Sequence, residues 1–230
     1  LRERDPVLRA LVQKGSGYTE EEKSALLAIH RTALGALAGR YRRLQETGAA
    51  ELSTSPFYHP ILPLLCDLAA AREADPSVSL PAEPFAHPED ARTQIERAIA
   101  FHSRCFGQRP LGLWPSEGSV SEPVLRLVSE AGIQWIATDD GILHRSLARS
   151  NLPPPTYHQV AVWRECADLA IFFRHHELSD RIGFRYAALS PEAAVADLVG
   201  ALRRIHETIP ADGSGAVLTI ALDGENPWES

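Results

Sequence analysis

Residues 109–137 constrain this chain more than any other stretch. Leu111-Gly-Leu113 is a short apolar run behind Pro110, and residues 115–118 are rich in turn formers. Residues 124–131 repeat apolar side chains at helical spacing, Gly132 closes that helix, and Ile133-Gln-Trp-Ile-Ala137 reads as a second strand. Strand, helix, glycine and strand within about 30 residues predict a βαβ unit, hence parallel pairing and an α/β fold. Ser119 and Glu122 have capping-box spacing, which gives Glu122 a structural task at the start of the helix. Glu117 has no such task, and the turn that holds it lies just past a strand's carboxyl end.

A second carboxylate is placed the same way. The apolar run Ala216-Val-Leu-Thr-Ile-Ala-Leu222 stops abruptly at Asp223-Gly-Glu225-Asn-Pro-Trp228-Glu229. Two acids at strand carboxyl ends point to one shared site, as in barrels whose chemistry sits at that rim. Glu117 and Asp223 are therefore the candidate catalytic pair.

Four blocks in this order carry a resemblance. Tyr58-His59-Pro60-Ile-Leu-Pro63, Trp114-Pro-Ser-Glu117-Gly-Ser-Val-Ser, Phe173-Arg-His-His-Glu-Leu-Ser-Asp180-Arg-Ile-Gly-Phe184 and Leu222-Asp223-Gly-Glu225-Asn-Pro-Trp228-Glu229 resemble glycoside hydrolase family 57. The resemblance runs from about Glu51 to the last residue. It implies a retaining hydrolase or transglycosidase acting on α-glucans such as starch, glycogen and maltooligosaccharides. It also implies an incomplete (β/α)7-type barrel of parallel strands with outer helices, Glu117 as nucleophile and Asp223 as general acid/base. Retention requires one carboxylate to attack the anomeric carbon and one carboxyl to protonate the departing oxygen, roughly 5 to 5.5 Å apart. Such closeness splits the two pKa values, so that one group stays charged while the other keeps a proton. The family's His-Gln-Pro opening block and its aromatic-rich block after the acid/base are not found. Together with the lack of any Met, this makes an internal segment, with the remainder of a parent chain as partner, the expectation.

The remaining candidates each admit two readings. Trp114 offers a face for a sugar ring or fills the core, and His59 reaches a sugar hydroxyl or holds its own turn. Glu51 binds sugar or ends a strand on solvent, and Glu225 stands where the family has a substrate-contacting acid. Arg174, His175 and Asp180 contact substrate, or Arg174 and Asp180 form a structural ion pair with each other. Asp139 and Asp140, in Thr138-Asp139-Asp140-Gly141, are expected to cap their loop and line the cleft. That tetrapeptide is also similar to a segment of metal-dependent polysaccharide deacetylases, the competing enzyme class. A His-x-x-x-His partner is missing, and the adjacent His175 and His176 point to opposite faces of a regular strand. An inert carbohydrate-binding fragment is the non-enzymatic alternative. No metal site and no cofactor are expected.

Composition bounds these readings. With 230 residues, 44% of them hydrophobic, the chain suits a single domain, residues 1–230. A net charge of -7 leaves no basic stripe for nucleic acid, and no apolar run is long enough to span a membrane. Three scattered cysteines without a C-x-x-C pair suggest reduced thiols and a cytoplasmic protein.

The rest of the chain reads as helices and loops around these strands. Thr19 and Glu22 form a capping box for a long helix over residues 25–44, expected to pack outside a barrel. Residues 48–55 read as a short strand, 61–71 as a helix, 75–88 as a loop and 146–158 as another loop. A helix from Pro88 carries Ile95, Ala98, Ile99 and His102 on its packing face. Residues 159–163 and 168–173 read as two strands joined by a short turn. Ser190-Pro191 opens a last helix with a predicted stripe of Ala194, Val195, Leu198, Val199, Leu202 and Ile205.

Overall fold

The structure is a computed structural model that describes residues 5–152, 161–165, 168–209 and 216–222. In chain order its elements are α1 (Pro6–Lys14), α2 (Glu20–Glu46), α3 (Leu62–Cys66), α4 (Ala71–Ala74), α5 (Pro88–Phe106), β1 (Gly112–Leu113), α6 (Glu122–Glu130), β2 (Trp135–Asp139), α7 (Asp140–Arg149), β3 (Ala161–Trp163), β4 (Leu169–Arg174), α8 (His176–Asp180) and α9 (Pro191–Thr208). Two compact units result, one of Leu1–Leu52 with His102–Gln108 and one of Ser53–Phe101 with Arg109–Ser230.

The first unit is helical. Asp5 caps α1 by accepting the N–H groups of Val7 and Leu8 at 2.9 and 3.1 Å. Thr19 and Glu22 form the expected reciprocal box at the start of α2, which satisfies two orphan amides. His102 is buried, packs edge-on against Phe106 at 4.8 Å, and donates Nδ1–H to the Gln108 carbonyl at 3.1 Å.

The second unit holds the sheet, of order β1-β2-β4-β3. β1 pairs with β2 and β2 with β4 in parallel, whereas β3 runs antiparallel to β4. The expected βαβ unit is β1–α6–β2, and of the two strands expected over residues 159–173, β4 joins the parallel row while β3 departs from it. Single parallel bridges, Thr54 to Leu113 and Arg174 to Thr219, extend the row at either side. The strand expected at residues 48–55 is reduced to the first of these bridges.

Periodicity explains the packing. α6 buries Val124, Leu127 and Val128 on one face, and α5 turns Ala91, Ile95 and Ile99 inward at the same spacing. They close over Leu113, Ile136 and Leu169, which are all fully buried on the strands. Each such side chain contributes roughly 1.5–3 kcal/mol of burial. Gly112 is required where it stands, because a β-carbon there would come within 2.0 Å of the Trp135 ring.

Several local expectations are corrected. The helix expected over residues 61–71 breaks at Asp67, whose backbone is extended and whose carboxylate accepts the Ala69 N–H at 2.8 Å, starting a new turn. The Ser119–Glu122 box does not form: Pro123 fixes the first turn of α6, so Ser121 takes the capping position and Glu122 is the first helical residue. The loop expected from residue 146 begins only after α7 ends at Arg149. On α9, Ser190 caps as expected, but Val195 and Val199 are exposed while Ala201 is buried.

Candidate active site

The cleft lies at the carboxyl ends of the parallel strands. It measures about 690 Å³, and its lining includes His59, Trp114, Glu117, Asp139, Arg174 and His176. Trp114 and Glu117 follow β1, Asp139 ends β2, and Arg174 ends β4. The strand-end rule thus gathers side chains that are far apart in the sequence.

Glu117 is presented by a tight turn. Behind β1, Pro115 and Ser116 are buried, residues 116–118 form one 3₁₀ turn, and Glu117 itself has φ 55° and ψ 22°. A left-handed glutamate is costly, by roughly 1–2 kcal/mol, because its Cβ crowds the following carbonyl. Among the described residues, positive φ outside glycine occurs at His59, Glu117 and Asn151, so two of the three line the cleft. Strain of this kind persists only where surrounding structure enforces it. Here Gly118, also left-handed and buried, lets the turn lie against β2, and its carbonyl accepts the Thr138 hydroxyl at 2.5 Å. The Glu117 carboxylate is exposed.

Opposite β1, the parallel register sets an ionic cluster. Asp139 and Arg174 are register partners across β2 and β4, so their side chains share a face. Arg174 donates Nε–H to Asp139 at 2.9 Å and Nη2–H to Asp180 at 3.1 Å. His176 opens α8, which places Asp180 one turn along on the same helix face. Its Nδ1 lies 2.9 Å from Asp139 and its Nε2 3.1 Å from Asp180. A charged imidazole donates both protons to these carboxylates.

The electrostatics follow from those contacts. Burial pushes the Asp139 carboxyl up, but hydrogen bonds from Arg174, His176 and the Gly141 N–H outweigh it and hold the group at about 2. The hydrogen bond to Asp139 raises the His176 imidazole above its ordinary value, against partial desolvation and with help from the Asp180 charge. Arg174 is raised in turn: its own burial works against the charge, and the two carboxylates overcome it.

The sequence candidates divide accordingly. Trp114, His59, Glu117 and Arg174 line the cleft. Asp180 is not among the lining residues and stands as the ion-pair partner of Arg174 and His176. Asp140 is also absent from the lining, since its carboxylate accepts the backbone N–H of His176 at 3.2 Å and Asp139 takes the cleft position. Glu51 is exposed and belongs to the first unit. Asp223 and Glu225 lie outside the described residues. Asp139 caps α7 by accepting the Gly141 N–H and lines the cleft, as expected of it, whereas His176 is the residue that sequence reasoning passed over. The helical spacing of His176 and Asp180 was the available signal, hidden by treating residues 175 and 176 as strand. In the deacetylase-like segment a guanidinium stands between Asp139 and Asp180. Among the described residues no group of three or more His, Cys, Asp or Glu is arranged to hold a metal ion.

Comparison with known proteins follows the same lines. The description "Glycosyl hydrolase family 57" matches residues 20–230. This chain belongs to glycosyl hydrolase family 57. A family 57 assignment agrees with the resemblance carried by the four sequence blocks. "Alpha-amylase 1" of Dictyoglomus thermophilum is 27% identical over 97 residues, 42% of this chain and 11% of that protein. Among solved structures, a 4-alpha-glucanotransferase from Thermococcus litoralis superposes with a TM-score of 0.57 at 20% identity, covering 87% of this chain and 26% of that one. An alpha-amylase from Thermotoga maritima gives a TM-score of 0.50 at 16% identity, covering 79% and 30%. The family 57 chain thus spans less than a third of the length of each of these proteins. Among its described residues no helix is long and apolar enough to cross a membrane.

Proposed function

We propose that this chain carries the catalytic cleft of a retaining α-glucan hydrolase or transglycosidase. The observation that carries the reading is Glu117: an exposed carboxylate, held in a strained backbone conformation at a strand's carboxyl end, facing a cleft of about 690 Å³. Glu117 attacks the anomeric carbon, and Asp223, following the last apolar run, protonates the leaving oxygen and then activates water or an acceptor hydroxyl. Trp114 offers a ring face to a glucose unit, and His59 and Arg174 hold hydroxyl groups. Asp139, Asp180 and His176 fix Arg174 in place. The names of the relatives, alpha-amylase and 4-alpha-glucanotransferase, support α-glucans as substrate.

The reading extends to the architecture and the setting. Thr54, β1, β2, β4 and Thr219 are successive parallel neighbours in chain order, which supports an incomplete (β/α)7-type barrel with β3 as an excursion. Residues 1–230 then form part of one catalytic domain completed by a parent chain. Free thiols at Cys66 and Cys105 suit a reducing cytoplasm.

Glu117→Gln tests the assignment. Turnover of maltooligosaccharides by the full-length protein is expected to vanish while its thermal unfolding is unchanged. Retained turnover removes Glu117 as the nucleophile.

A further inference from the structure

The loop that delivers His59 to the cleft also presents an aromatic cluster outside it. Phe57 and Tyr58 meet edge to face at 4.8 Å, and Phe57 meets Phe101 of α5 at 5.6 Å. The Arg97 guanidinium lies 4.8 Å from the Phe57 centroid and 5.2 Å from that of Tyr58. Tyr58 nevertheless remains 67% exposed and Phe101 46% exposed. An exposed aromatic pair on a loop gains little from folding, so its rigidity calls for a reason.

Rigid it is. Phe57 donates its N–H to the Gln94 carbonyl at 3.3 Å, and Tyr58 donates its N–H to the Gln94 side-chain oxygen at 2.8 Å. One residue later, His59 takes φ 57° and lines the cleft. Adjacent α-carbons are about 3.8 Å apart, so the Tyr58 backbone sits at the cleft margin. A chain of glucose units is longer than the cleft side chains of one ring-stacking tryptophan can hold, and it must leave over some margin.

We propose that Tyr58, supported by Phe57 and Arg97, is a secondary glucan-binding platform on which a sugar unit stacks after the chain leaves the cleft past His59. This rests on the α-glucan reading above. The chemistry is that of a pyranose: its axial C–H face is apolar and electropositive, matching the negative face of the phenol ring, while its rim hydroxyls suit the donors of Arg97. Fixing the loop beforehand reduces the ordering cost of binding.

The test compares a short and a long ligand. In full-length Glu117→Gln protein, which binds without turnover, calorimetric affinities are measured for maltotriose and maltoheptaose with and without Tyr58→Ala. The expected result is a roughly tenfold weaker maltoheptaose affinity and an unchanged maltotriose affinity. Tyr58→Phe, which keeps the ring, is expected to bind both as the parent does. Equal maltoheptaose affinity after Tyr58→Ala overturns the platform alone, as does an equal loss for both sugars. No binding of either sugar before Tyr58 is changed overturns the α-glucan reading and the platform with it.

Discussion

The buried hydroxyl of Thr138 donates to the Gly118 carbonyl at 2.5 Å, fastening the end of β2 to the turn that carries Glu117. Both residues are buried, so neither partner has water to replace the other. Thr138→Val keeps the shape and removes the donor, which is expected to cost about 1–3 kcal/mol in a urea titration. Because the lost bond positions the carboxylate proposed to attack, kcat should fall roughly tenfold to a hundredfold with little change in KM. Thr138→Ser, which restores the hydroxyl, should recover most of kcat. Equal kcat in the valine variant would show that the turn holds itself.

Left-handed backbone at Glu117 predicts opposite effects on stability and activity. Asparagine tolerates positive φ better than glutamate does. Glu117→Asn should therefore raise unfolding stability by roughly 0.5 to 1 kcal/mol. The same change should lower turnover roughly a thousandfold or more, since it removes the proposed nucleophile. Thermal melts and steady-state rates on one preparation check both halves. A loss of stability would mean that the glutamate side chain contributes contacts outweighing its strain.

The pH dependence of the cluster has a definite sign. Asp139 is held at about 2 in the folded chain, against about 4 for an unfolded aspartate. A lowered folded pKa stabilises the protein above about pH 4, and that contribution is lost as pH falls from about 4 to about 2. Its size is roughly 1–2 kcal/mol once solvent screening is allowed for. His176 is shifted the other way. Its contribution is complete below about pH 6.5 and is lost as pH rises through the folded value. Asp139→Asn should flatten the acid limb of the stability profile and return the His176 imidazole toward its ordinary titration, with Asp180 still opposing Arg174 beside it. An NMR titration of His176 in both proteins decides the matter: identical midpoints would mean that Asp139 does not set its charge.

What could be read from the sequence was local. The Thr19–Glu22 box, the Ser190 cap and the strand–helix–strand passage through Gly132 are each specified within a few residues, and they form. Where a neighbouring residue competes, the local rule fails. Pro123 moved the start of α6 past Ser119, and the Asp67 side chain cut a helix that apolar spacing alone had continued. Glu117, Trp114, His59 and Arg174 were legible as cleft-lining residues because each stands at a strand's end or in the loop beyond it. Asp139 was legible as a cleft-lining cap, but its ionic cluster with Arg174 and His176 was not, since the Asp139–Arg174 pairing depends on a register between strands 35 residues apart. No single-sequence pattern records that register.

Two remote segments share one side of β4. β3 pairs with its first half, from Leu169 to Ile171, and Thr219 bridges to Arg174 at its far end, where the His175 N–H also donates to the Thr219 carbonyl at 2.8 Å. Cutting the polypeptide before residue 216 would thus bare amides beside the most apolar strand of the sheet. Such a shortened product should self-associate through strand addition and sediment during expression, before any question of catalysis arises.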